Sequence, residues 1–244
     1  MPCRRLLSAL ALFILCLNVC AEARAQADKR ERAATEIESL REQIKAREAE
    51  LLAPSDEDRK TYAEFLARPD TGLIRLLPRE KWGGKLSTNG GGAFYSFTRL
   101  THEYGYGSDV MLEQGNLMVG FAGADFGFMI DLCDVPLEDV SEETEKVRLM
   151  ASFKTPAAEA DARAAKRQFG SHEGPNSPWT YRSRLPVIAG CTYALRSINY
   201  GDSDVLVAFN IVRRDTDGSV VLLWKMVAKY PKPSLQRSVA ATEQ

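Results

Sequence analysis

Four kinds of hydrophobic pattern follow one another along the chain. The first is an unbroken apolar run, LLSALALFILCLNVCA from Leu6 to Ala21, preceded by Arg4 and Arg5 and followed by the small-residue stretch AEARA ending at Ala25. Basic, then apolar, then small is the layout of a secretory signal peptide, here residues 1–25, with cleavage after Ala25 or Ala21. The run is shorter than the about 20 residues a membrane-spanning helix needs. A retained anchor is a second reading and lipidation at Cys20 a third, although bulky Val19 stands where a lipoprotein signal wants a small residue.

The second pattern has a helical period. Residues 26–53 include DKRERAATEIESLREQIKAREAELL (28–52), which is free of glycine and proline and is ended by Pro54. Ala33, Ile37, Leu40, Ile44 and Leu51 fall at heptad spacing, with Arg47 interrupting the seam. Such a helix either joins copies of the chain, as a homo-oligomer through residues 28–52, or docks by one stripe on its own domain.

The third pattern is that of strands, over residues 54–233. After a short helix capped by Ser55 or Asp56 and running to about Ala67, Pro69 and Gly72 stop the helical period. GGGAFYSFTRLTHEY and DFGFMIDL read as strands, and DVMLEQGNLMVGFAG as two strands turning at Gln114 to Asn116. EKVRLMASFK reads as a further strand. At the end of the domain, SDVLVAFNIVRR and SVVLLWKMVAKY flank the turn DTDG, after CTYALRSINY. Val205, Val207, Phe209 and Ile211 alternate on one strand, and Leu222, Trp224, Met226 and Ala228 on the next; both strands are also apolar on their other side. That implies a sheet covered on both faces.

The fourth pattern is the alanine-rich, helix-forming TPAAEADARAAKRQFG between Pro156 and Gly170, followed by a long proline- and glycine-rich loop through Ser171 to Pro186. Together these elements predict a mainly β or α+β protein: an antiparallel β-sandwich or partly open barrel, with an N-terminal helix and one inserted helix. Residues 234–244 read as a flexible C-terminal tail.

Composition changes this picture in two places. The apolar share of 45% is that of a chain with a real core. Formal net charge is −1, and becomes −3 once Arg4, Arg5, Arg24 and Glu22 leave with the signal, so no basic footprint for nucleic acid is present. Of five cysteines, Cys3, Cys16 and Cys20 lie in the signal. Cys133 and Cys191 remain as an even pair, expected as a disulfide in an oxidising compartment, with two buried free thiols as the alternative.

Candidate chemistry is sparse. THEYGYGSD (101–109) carries His102, Glu103 and Asp109 with Tyr104 and Tyr106, and the second histidine, His172, also precedes a glutamate, Glu173. Brought together, His102, Glu103, His172 and Glu173 would form a four-ligand metal site; along a strand, however, His102 and Glu103 point to opposite faces. A packed aromatic turn is the plainer reading of this run. WGGKLSTNGGGAF lacks the order of a phosphate loop, because its lysine precedes the glycines and a strand follows. RRDTDGS lacks the distal glutamate of a calcium loop and reads as a hairpin turn. No GxSxG elbow is present.

The expectation is therefore an exported, periplasmic or secreted, non-enzymatic binding domain without cofactor and without a membrane span once the signal is removed. It would contact a protein or glycan partner through Tyr104, Tyr106, Asp109 and Trp179. The alternatives are a metal-dependent hydrolase using His102 and His172, and a structural subunit of a cell-envelope assembly with the heptad helix as its joint.

Overall fold

The computed structural model describes residues 3–105, 107–170 and 180–236, with residues 3–23 and 25 described by their backbone alone. Tyr106, His172, Glu173 and Trp179, with most of the expected C-terminal tail, lie outside the described residues. The chain divides into two compact units, Met1–Arg47 and Glu48–Gln244. No helix among the described residues is long and apolar enough to cross a membrane.

The first unit is carried by helix α1 (Cys3–Leu52). Ile37, Leu40 and Ile44 on its heptad seam are 49%, 50% and 50% exposed. The last turn of α1, from Glu48, belongs to the second unit.

The second unit begins with α2 (Asp56–Thr61) and α3 (Ala63–Leu66), two short pieces where one helix was expected. Ser55 caps α2 through a reciprocal capping box with Asp58, whose carboxylate accepts from the Ser55 backbone while Ser55 Oγ accepts from Asp58 N. Two antiparallel sheets follow. The larger has the order β1-β9-β8-β7-β5, formed by β1 (Thr71–Leu76), β5 (Phe126–Asp131), β7 (Thr192–Asn199), β8 (Ser203–Arg214) and β9 (Val220–Lys229). The smaller has the order β2-β3-β4-β6, formed by β2 (Phe94–Tyr95), β3 (Val110–Glu113), β4 (Asn116–Met118) and β6 (Arg184–Pro186). The architecture is a β-sandwich with added helices, and not a closed barrel.

Both faces of the larger sheet are covered. Its inner face meets the smaller sheet through Leu76, Val110, Leu112, Leu117, Val207, Phe209, Ile211 and Trp224. Its outer face lies under α5 (Glu145–Ser152) and α6 (Glu159–Gly170), where Phe128 stacks on Phe169 at 4.0 Å beside Val147, Met150, Ala162 and Leu206. This explains why β8 and β9 are apolar on both sides. Each buried chain of Leu or Phe size contributes roughly 1.5–3 kcal/mol relative to exposure, so the two layers of contact dominate stability.

Several elements differ from the sequence expectation. EKVRLMASFK forms helix α5 rather than a strand: Val147 and Met150, three apart, both point into the core while Leu149 between them stays 36% exposed. A strand would have buried Val147 together with Leu149. The strand expected from GGGAFYSFTRLTHEY shrinks to Phe94–Tyr95, because Leu100 N turns back to the Ser96 carbonyl and Ser96 bridges Thr101. Strand β1 emerges where Pro69 and Gly72 signalled a stop. In β9, Ala228 leaves the face of Met226. A bulge places Leu206 opposite Ala228 but Val207 opposite Met226, so the extra residue Val227 reverses the alternation.

The turns came through as read. β3 and β4 are joined by Gln114 and Gly115, with φ of 49° and 70°, the left-handed pair a tight two-residue hairpin requires. Cys133 and Cys191 form a disulfide that ties the chain after β5 to the start of β7. Residues 234–236 belong to the domain rather than to a tail: Gln236 N donates to Ala157 O, and Leu235 packs on the outer core.

Candidate functional site

Within the THEYGYGSD run the ionisable groups His102, Glu103 and Asp109 are each engaged by the protein itself. His102 donates from Nε2 to the Arg75 carbonyl at 2.8 Å, with its ring edge-on to Tyr95 at 5.0 Å. Burial lowers its pKa, opposed by that hydrogen bond, and so favours the neutral ring. Glu103 is directed elsewhere and accepts from Asn89 N at 2.8 Å. Tyr104, 37% exposed, lays its ring on Phe94 at 4.4 Å, and its backbone exchanges hydrogen bonds with Asn89.

Asp109, expected as a surface contact, is instead fully buried. Its Oδ2 accepts from Phe97 N at 2.8 Å and its Oδ1 from Asn199 Nδ2 at 2.9 Å, with Ser197 a further donor. Burial pushes its pKa up to about 6 against the pull of these donors, and the nearby Asp202 adds to the rise. Gly107, at φ 85°, lets the loop pass over Asp202; a Cβ there would fall 1.9 Å from Asp202 Oδ2. Of the expected metal ligands, His102 and Glu103 thus diverge, and His172 and Glu173 lie outside the described residues. Among the described residues no three His, Cys, Asp or Glu side chains gather to hold a metal.

A second cluster, not singled out from sequence, lies on the outer face of the larger sheet, on its interior strands β7 and β8. Arg196 of β7 and Asp204 of β8 are a fully buried pair: Nε donates to Oδ1 at 2.5 Å and a terminal nitrogen to Oδ2 at 3.0 Å. The remaining nitrogen donates to the Met150 carbonyl in the last turn of α5, and Thr155 Oγ1 donates to Asp204 Oδ2 at 2.7 Å. The guanidinium carbon sits 3.3 Å from the centre of the Tyr230 ring. All three guanidinium nitrogens are therefore engaged, which is the condition under which a buried pair is tolerated.

Above this pair opens a cleft of about 440 Å³. Its sides are two extended segments, Phe153–Ala157 leaving α5 and Tyr230–Ser234 leaving β9, pinned where Gln236 N meets Ala157 O and where Gly201 N meets Pro233 O. Tyr200 adds a third pin by donating its hydroxyl to Pro156 O at 2.7 Å. Phe153, Pro156, Pro231 and Pro233 form apolar walls, and Lys154, Thr155 and Ser234 supply polar groups. The sequence did carry one signal for this site: a lone arginine in the middle of the otherwise uncharged TYALRSIN, which must find an acid if the strand is buried.

A third engaged group is Glu48, in the last turn of α1. Its carboxylate accepts from the backbone and hydroxyl of both Ser87 and Thr88, at 2.5 to 3.0 Å. The stretch that superficially suggested a phosphate loop thus grips an anion from its own chain. The chain matches no known protein-family model, no curated protein and no solved structure.

Proposed function

We propose that the protein is an exported binding module that holds a small amphipathic ligand in the cleft over Arg196, Asp204 and Tyr230, and does not transform it. The observation that carries this reading is the saturated ion pair under the cleft. With the guanidinium nitrogens and the carboxylate already bonded within the protein, the floor offers no free acid, base or nucleophile; it fixes the shape of a pocket. The volume, apolar walls and few polar groups fit a small organic molecule, and the ammonium of Lys154 favours one bearing an acidic group. Export is supported by the basic, apolar and small order of residues 1–25 and is compatible with the disulfide.

The test uses anilinonaphthalene sulfonate, an anionic amphipathic fluorophore, on the folded protein. Ala157, exposed on the cleft wall, is replaced by Trp to fill the space without touching the ion pair, and Lys154 by Glu to reverse the charge. Saturable binding of one probe, lost in Ala157→Trp and weakened in Lys154→Glu with melting temperatures unchanged, is the expected result. Absence of saturable binding, or binding indifferent to both substitutions, would sink this reading.

A further inference from the structure

We infer that α1 joins two copies of this chain as a parallel two-stranded coiled coil, registered by reciprocal contacts between Glu36 and Arg41. The apolar seam Ile37, Leu40 and Ile44 lies half exposed on the described helix, at 49%, 50% and 50%. With Ile37 and Ile44 at heptad position a and Leu40 at d, the seam has the branching that favours two parallel strands. Beyond Ala33 at d the seam meets Arg30 at a, and beyond Ile44 it meets Arg47 at d, so a slip of one heptad would lay an arginine against Ile37 or Leu40.

The flanking charges choose the occupant and its direction. Glu36 falls at g and Arg41 at the following e, the two positions that meet across a parallel pair, so Glu36 faces the partner's Arg41 and Arg41 faces the partner's Glu36. If the helices ran antiparallel with Ile37 over the partner's Leu40, Glu36 would meet Gln43 and Arg41 would meet Ala34, and both attractions would vanish. A second copy in parallel satisfies the apolar seam and the charges together. The contact Arg41 now makes, to Glu38 at 3.4 Å on an open surface, is of the weak kind that such a pairing readily replaces.

Sedimentation equilibrium of the purified protein decides the matter. The expected result is a dimer whose dissociation constant rises about tenfold in Glu36→Arg alone and in Arg41→Glu alone, since two symmetry-related contacts turn repulsive in each. The double variant should return to within about threefold of the parent, because the pair is re-formed in reverse. These surface positions lie outside the β domain, whose near-ultraviolet circular dichroism should stay constant in every variant. A protein that remains monomeric, a dimer indifferent to the single substitutions, or single losses that the double variant fails to restore would each overturn the inference.

Discussion

Asp109 illustrates how far a side chain's surroundings can outrun its sequence context. In THEYGYGSD it sits beside glycine and serine, which suggests a loop tip, yet it is enclosed at 0% exposure and its pKa rises from 3.8 to about 6. Because the folded value is the higher, the protonated group supports the fold fully below about pH 4, and that support is lost as pH rises through 6. Asp109→Asn cannot ionise and lacks this dependence; one of its amide hydrogens would also face a donor, Phe97 N or Asn199 Nδ2. The variant should be less stable than the parent, and the gap should widen by on the order of 2–3 kcal/mol between pH 7 and pH 4, read by urea denaturation at each pH. A gap that stays constant with pH would mean that Asp109 does not titrate in this range. Nothing local in the sequence distinguishes this aspartate from Asp202 or Asp217. What separates them is the approach of Phe97 and Asn199 from remote parts of the chain, which a pattern along one segment does not contain.

At the scale of elements, the local signals that succeeded were those with a local cause. The Ser55 capping box and the Gln114–Gly115 turn each depend on residues a few positions apart. Where an apolar segment fitted two periods, packing decided: α5 is a helix because Val147 and Met150 reach the outer face of the larger sheet together. The end of α1 depends on a remote partner as well. Burial raises the pKa of Glu48, but the hydrogen bonds from Ser87 and Thr88 outweigh it and the net value is lowered. Its contribution is therefore present above the ordinary value of 4.5 and is lost as pH falls through the lowered one. Glu48→Ala leaves the Ser87 and Thr88 amides without their acceptor and should cost about 1–3 kcal/mol, with faster hydrogen exchange confined first to residues 85–92. Unchanged protection there would make the Glu48 contact incidental.

Across the whole molecule, the disulfide spans a sequence separation of 58 residues and joins segments next to paired strands β5 and β7. Loop-closure entropy assigns such a link about 4 kcal/mol, so the double substitution Cys133→Ala and Cys191→Ala should lower the denaturation midpoint strongly while the core still folds in mild conditions. A loss well under 1 kcal/mol would mean that strand pairing alone already restrains the unfolded chain. The pairing of these cysteines was legible because only two lie beyond the apolar run Leu6 to Ala21, and arithmetic then leaves one bridge. The β class was legible too, because alternation at period two survives wherever a strand is half or wholly buried. What the amino-acid order determined by itself was therefore a set of features of short physical range: the hairpin turns, the Ser55 cap and the strand-rich class. Tertiary structure alone decided which polar groups meet. Arg196 finds Asp204 across neighbouring strands, Glu48 finds Ser87, and the cleft opens between segments nearly eighty positions apart. Hydrogen bonds and ion pairs act over a few ångströms in space, and it is strand pairing and packing that bring these positions within that reach.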